Sequence, residues 1–157
     1  MTPVPLGILL PTFALVLLIF VMWIVMFASR GAHMKRVPVR PEDFATGEAA
    51  ARYFTPVEMP ANNYRNLFEM PVAYFALVPL LILGDAANIV QVTLAWAFVG
   101  LRVAHSYVHV GPKNVPVRAL FYTLSTTVLM VMWVGFAWDV CSARTPYADP
   151  PGNIAAL

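Results

Sequence analysis

The residues able to do chemistry fall into three groups. Arg65, Asn66 and Glu69 stand close together. Arg102, His105 and His109 follow at spacings of three and four. Arg118 and Tyr122 are again four apart. On helices, such spacings put each group on one face. Arg65, Arg102 and Arg118 set against Glu69 leave an excess of positive charge, which suits a small anion. Arg118 is the most informative of these residues. It lies in the first turn of an apolar run that begins near Pro116. A cation there opposes the helix dipole, which favours anions. Together with the free N–H groups of that turn it would bind an anionic ligand.

Blander readings exist for each group. Arg65 and Glu69 could be an interfacial pair whose long side chains reach back to water. Arg102 could simply neutralise Glu69. His105 and His109 have the spacing of a metal pair, but no Cys or carboxylate ligand stands near them in sequence, so no metal site is expected. Cys141 is the single cysteine. It can form no intramolecular disulfide and is assigned no chemistry. Trp23, Trp96, Trp133 and Trp138 read as packing residues or interfacial anchors.

The elements that carry these groups are apolar. The chain has 157 residues, 60% of them hydrophobic and 11% charged, with mean hydropathy +0.71. A soluble domain is about 25% charged. The bilayer is therefore the expected solvent, and a nucleic-acid partner is not expected. Four spans follow from the apolar runs, at about 6–28, 64–83, 89–110 and 116–140. The first is too long for the apolar core of a signal peptide and lacks a preceding basic residue, so it reads as a retained helix. A polar loop covers 29–63, with a short helix expected at 41–53 because Pro41, Glu42 and Asp43 suit a helix start. The tail at 142–157 reads as loosely ordered.

Short connections make neighbouring spans antiparallel. The expected fold is all-α: one integral membrane domain, an up-down four-helix bundle. Arg30, Lys35, Arg36, Arg40, Arg52, Lys113 and Arg118 fall in the first and third connections, against Arg144 alone on the other side. The positive-inside rule then puts those connections in the cytoplasm and both termini outward. A bacterial inner membrane is the favoured location. By rise per residue, Glu69 lies roughly 8 Å into the second span and Arg102 roughly 12 Å from the end of the third. The two are expected to meet at similar depth.

The segments NNYRNLFEMPVAYFALV and LRVAHSYVHVGPKNVPVRALFYTLS resemble the MAPEG family, the membrane-associated proteins in eicosanoid and glutathione metabolism. That family includes microsomal glutathione transferase and microsomal prostaglandin E synthase. The resemblance spans the second to fourth helices. It implies a homotrimer that binds glutathione between subunits near the cytoplasmic face. It implies that Arg65, Asn66, Glu69, Arg102, His105, His109 and Tyr122 bind glutathione, or hold the residues that do. Arg118 resembles the residue that stabilises the glutathione thiolate, and Asp43 resembles an acidic loop residue given a catalytic role in the prostaglandin synthase. Two positions differ from that synthase: His109 stands in place of Tyr, and Ala119 in place of Ser.

The function implied is a membrane-bound glutathione-dependent transferase or peroxidase acting on lipophilic electrophiles, with glutathione as co-substrate and membrane lipid as neighbour. A second reading is a non-enzymatic membrane protein that binds a lipid or another small anion on the same scaffold. A proton-coupled transporter using Glu69 ranks last, because the outer halves of the spans lack charge until Asp139.

Overall fold

The computed structural model describes residues 6–142. The expected loose tail beyond Ser142, and Arg144 with its share of the orientation reading, lie outside the described residues. Six α-helices follow in order: α1 (Leu6–Arg36), α2 (Gly47–Phe54), α3 (Met59–Asn66), α4 (Met70–Leu83), α5 (Ile89–Val110) and α6 (Val115–Ser142). Short 3₁₀ turns at Pro41–Phe44 and Thr55–Val57 complete the first connection. Four stretches are long and apolar enough to cross a membrane: α1, α3 with α4, α5 and α6. The protein is an all-helical membrane bundle.

α1 overruns its expected end by eight residues. Nothing between Ser29 and Arg36 breaks a helix, and His33, Lys35 and Arg36 in its last turn complement the dipole. At 31 residues it spans about 46 Å, well beyond a hydrocarbon core of roughly 30 Å. Its last turns therefore stand in the headgroup region. There the first connection folds back on it. Tyr53 donates its hydroxyl to Val37 O at 2.7 Å. The His33 ring packs edge-on against Tyr53, and the Arg30 guanidinium lies 4.8 Å from the centre of the Phe54 ring. The helix expected at 41–53 is two elements, a 3₁₀ turn and α2. Thr46 separates them by capping α2, accepting Ala49 N–H at 3.1 Å.

The second span starts earlier than expected, at Met59, and is interrupted at 67–69. Pro71 has no N–H to give and disfavours helix in the residue before it. The chain answers with three-residue bonds, Phe68 N–H to Arg65 O at 2.9 Å and Glu69 N–H to Asn66 O at 3.3 Å. Arg65, Asn66 and Glu69 thus do not share a continuous helix face, contrary to the expectation from their spacing.

Between the helices lies a core of Ile8, Leu15, Tyr74, Leu77, Leu81, Phe98, Leu129 and Met132. Tyr74 stacks on Phe98 with ring centres 5.0 Å apart, and its hydroxyl meets Thr12 Oγ1 at 3.0 Å. In lipid these contacts hold the bundle by packing and hydrogen bonding rather than by exclusion of water. Leu10, Phe13, Leu17, Phe20 and Ile24 form an exposed apolar stripe on the other side of α1.

α5 packs most extensively against α6. Gln91 ties them at one end, donating Nε2–H to Met132 O at 3.0 Å. Gly135 permits that approach, since a Cβ there would come within 3.2 Å of Gln91 Nε2. At the other end the connection is Gly111–Pro112–Lys113–Asn114. Lys113 adopts φ 58° and donates its N–H to Val108 O at 2.8 Å. A Cβ on Gly111 would sit 2.9 Å from Tyr107 O, so the turn cannot keep its path with a larger residue. Gly111→Ala is expected to cost about 1–3 kcal/mol, read as a lower unfolding temperature in detergent.

Candidate functional site

Pro71 sets the site's first wall. At the break that it causes, Asn66 O accepts Arg102 Nη2–H from α5 at 3.0 Å. The Asn66 side chain turns the other way and donates Nδ2–H to Glu69 Oε2 at 2.6 Å. Arg102 is thus bound to a backbone carbonyl of the second span and not to Glu69, which is exposed. The expected Arg102–Glu69 meeting is replaced by a connection through Asn66.

Arg102 is fully buried. Its guanidinium lies 5.2 Å from the centre of the Tyr122 ring and 5.9 Å from that of Phe98. These faces attract a cation, but they accept no conventional hydrogen bond from Nε or Nη1, and both atoms are without a partner. Asn66 Oδ1 is a third buried polar atom left unpaired. Unpaired buried donors are expensive, more so when charged.

Arg118 supplies the opposite wall from α6. Asn114 caps this helix: its Oδ1 accepts Val117 N–H at 3.2 Å, and its carbonyl accepts Arg118 N–H at 2.9 Å. Pro116 has no N–H. The helix amides expected to bind an anion are therefore largely occupied, and the guanidinium is the group on offer. Arg118 Nη1–H donates to His109 Nε2 at 3.2 Å. His109 Nδ1 lies 3.4 Å from His105 Nε2, and His105 Nδ1 lies 3.1 Å from Arg118 O. The two histidines are buried and span the gap between α5 and α6.

Together these groups surround a cavity of about 250 Å³ lined by Asn66, His105, His109, Arg118, Ala119, Tyr122 and Thr123. Of the residues singled out from sequence, Asn66, His105, His109, Arg118 and Tyr122 line it directly. Arg102 touches Asn66 and Tyr122 from behind. Arg65 and Glu69 are exposed and outside the lining. Asp43 is also outside the lining: its carboxylate accepts the Arg40 backbone N–H at 2.9 Å and so caps the 3₁₀ turn at Pro41–Phe44. Thr123 was not anticipated. Its signal was available, because 118, 119, 122 and 123 share one face of a helix. Among the described residues no group of three or more His, Cys, Asp or Glu could hold a metal ion.

A second, apolar hollow of about 320 Å³ lies between α4 and α6, lined by Met70, Ala73, Thr126, Leu129, Met130, Trp133 and Val134. Thr126 stands one helical turn beyond Tyr122. A polar cavity and an apolar groove thus follow one another along α6.

No curated protein and no solved structure matches the chain. A family does, and its match runs through every element just described. Residues 8–138 fit the MAPEG family from the first span to the last turns of the fourth, and the chain belongs to that family.

Proposed function

We propose that the protein is a membrane-bound glutathione-dependent transferase or peroxidase acting on lipophilic electrophiles. The observation that carries this reading is a pair of arginines at one polar cavity, Arg102 buried directly behind Asn66 and Tyr122 and Arg118 in the lining itself. Arg102 has two nitrogens, Nε and Nη1, without a partner in the protein, and Arg118 comes to the cavity from another helix. An incoming carboxylate would answer the first, and a thiolate the second. Family membership supports glutathione as the anion that brings both.

In this reading Arg102 and Asn66 hold the carboxylates and backbone of glutathione. Arg65 and Glu69 belong to the polar end of the bundle and complete the site from its rim, whereas Asp43 holds the 3₁₀ turn at Pro41–Phe44. Arg118 stabilises the thiolate. A free thiol titrates near 8.5, so little is ionised at neutral pH; a guanidinium at hydrogen-bond distance favours the anion. The thiolate then attacks an electrophilic carbon, forming a C–S bond as the leaving anion departs. With a hydroperoxide it attacks the O–O bond, giving an alcohol and a sulfenic acid, which a second glutathione converts to disulfide and water. The apolar hollow beside α6 would deliver either substrate from the bilayer.

The polar cavity of one protomer is smaller than typical ligand pockets of about 300–1,000 Å³. A neighbouring subunit would supply the rest, in keeping with a homotrimer. In this reading the basic first and third connections favour a site that faces the cytoplasm, with a bacterial inner membrane as the favoured location.

Purified protein in nanodiscs should conjugate glutathione to a chlorodinitrobenzene or reduce cumene hydroperoxide, with saturation in glutathione. Glutathione at a hundred times its Kd should stabilise the fold by about 2.7 kcal/mol. Saturable binding without turnover would reject the transferase and peroxidase activity and leave glutathione as a ligand only. Neither binding nor turnover would favour the second reading, a non-enzymatic protein that binds a lipid or another small anion.

A further inference from the structure

The hydrogen bonds around Arg118 form a closed circuit, and their directions are fixed. A guanidinium donates and cannot accept. His109 Nε2, at 3.2 Å from Arg118 Nη1, therefore carries no proton, and the proton of neutral His109 is on Nδ1. At the other end Arg118 O can only accept. His105 Nδ1, at 3.1 Å from it, must carry the proton there. His105 Nε2 is then bare and faces His109 Nδ1–H at 3.4 Å. Two independent ends thus dictate the same direction of donation: Arg118 side chain to His109, His109 to His105, His105 to the Arg118 backbone.

The circuit tolerates no added proton. A charged His109 would turn an N–H toward the guanidinium, and a charged His105 would turn one toward His109 Nδ1–H. The charged and titratable groups around the pair are Arg118 and Tyr122 from α6, Arg102 from the same helix, and, through Asn66, Glu69.

We infer that His109 is a positioning residue for Arg118, with His105 as its support. This rests on the assignment of Arg118 as the partner of the thiolate. An arginine side chain has many rotamers and loses considerable freedom when held. Here one nitrogen is fixed by His109, itself buried and anchored through His105 to the backbone of Arg118. The circuit occupies Nη1 and leaves the remaining donors of the fork for the ligand. Ala119 has no polar group to share that task. His109 therefore acts on the sulfur only through Arg118.

Two measurements test this. The first needs no ligand and no variant. Nitrogen-15 NMR of labelled histidine in bilayers resolves the protonation of each ring. The chain has three histidines, and His33, at the end of α1, lies outside the circuit. At neutral pH His105 and His109 should both be neutral with the proton on Nδ1. A proton on His109 Nε2 would overturn the inference.

The second compares His109→Phe with His109→Gln. Phenylalanine keeps the ring and removes the acceptor, whereas glutamine keeps an acceptor for Arg118 and a donor for His105. The ultraviolet absorption of bound glutathione thiolate should titrate at higher pH in His109→Phe, and kcat should fall about 10- to 100-fold. The Kd for glutathione should change much less. His109→Gln should recover most of both losses. An unchanged thiolate titration in folded His109→Phe, with glutathione bound, would overturn the positioning role. Absence of glutathione binding in the wild type would instead sink the transferase reading, and with it any role of His109 toward a thiolate.

Discussion

Arg118→Ala protein should retain its fold and its oligomeric state while losing about 100- to 1,000-fold in kcat for glutathione conjugation, the loss typical when a donor to a developing or stabilised anion is removed. The fold should survive because Arg118 is only half-buried and its side chain holds a single bond, to His109. The backbone of α6 keeps its cap through Asn114, which does not involve the guanidinium. The thiol of bound glutathione should then titrate close to its free value, so that raising the pH restores part of the rate. Arg118→Lys should recover only a fraction. An ammonium brings charge but not the planar fork that reaches His109 and a sulfur together. Stopped-flow conjugation across pH, with size-exclusion analysis of each variant, separates these outcomes.

Arg102→Met should make the empty protein more stable and the site useless. Arg102 is fully buried with one hydrogen bond and two unpaired donors. Replacing a buried, poorly compensated charge with an apolar residue of similar volume is often stabilising by about 1–4 kcal/mol. The lost contacts with the faces of Tyr122 and Phe98 offset some of that gain, by about 1–2 kcal/mol. The unfolding temperature without ligand should therefore rise or hold. The additional stabilisation by glutathione should vanish, because among the described residues no other buried Lys or Arg lies behind the Asn66 end of the cavity. A fall in stability with undiminished glutathione binding would make Arg102 a structural residue.

Much of this was legible in the sequence. α5 was read at its observed bounds because Asn88 caps it, accepting the N–H groups of Val90 and Gln91, and Gly111 ends it. Spacing and depth put polar groups of three helices at one end of the bundle, and the resemblance supplied Asn66, His105, His109 and Tyr122 beside Arg118; these five line one cavity, while Arg65, Arg102 and Glu69, which spacing had set around the anion, stand outside its lining. Other features depend on geometry that spacing does not contain. Charges at 30–36 mark the end of the hydrocarbon span but not the end of a helix, so α1 was cut short. Pro71 was visible, yet its consequence was not: it turns Asn66 O toward Arg102 and removes Glu69 from direct contact. The capping of the amide groups at the start of α6 by Asn114 depends on the turn geometry and not on spacing. The histidine circuit needed the relative rotation of α5 and α6, which the Gly111–Asn114 turn sets.

Calorimetric titration of glutathione into wild-type protein in nanodiscs, repeated with Arg102→Met and Arg118→Ala, bears most directly on the convergence of separate helices around one anion. A saturable heat in the wild type, abolished by Arg102→Met and altered in its pH dependence by Arg118→Ala, is the expected result. A wild type that gives no saturable heat, or one whose binding both substitutions leave untouched, would contradict it.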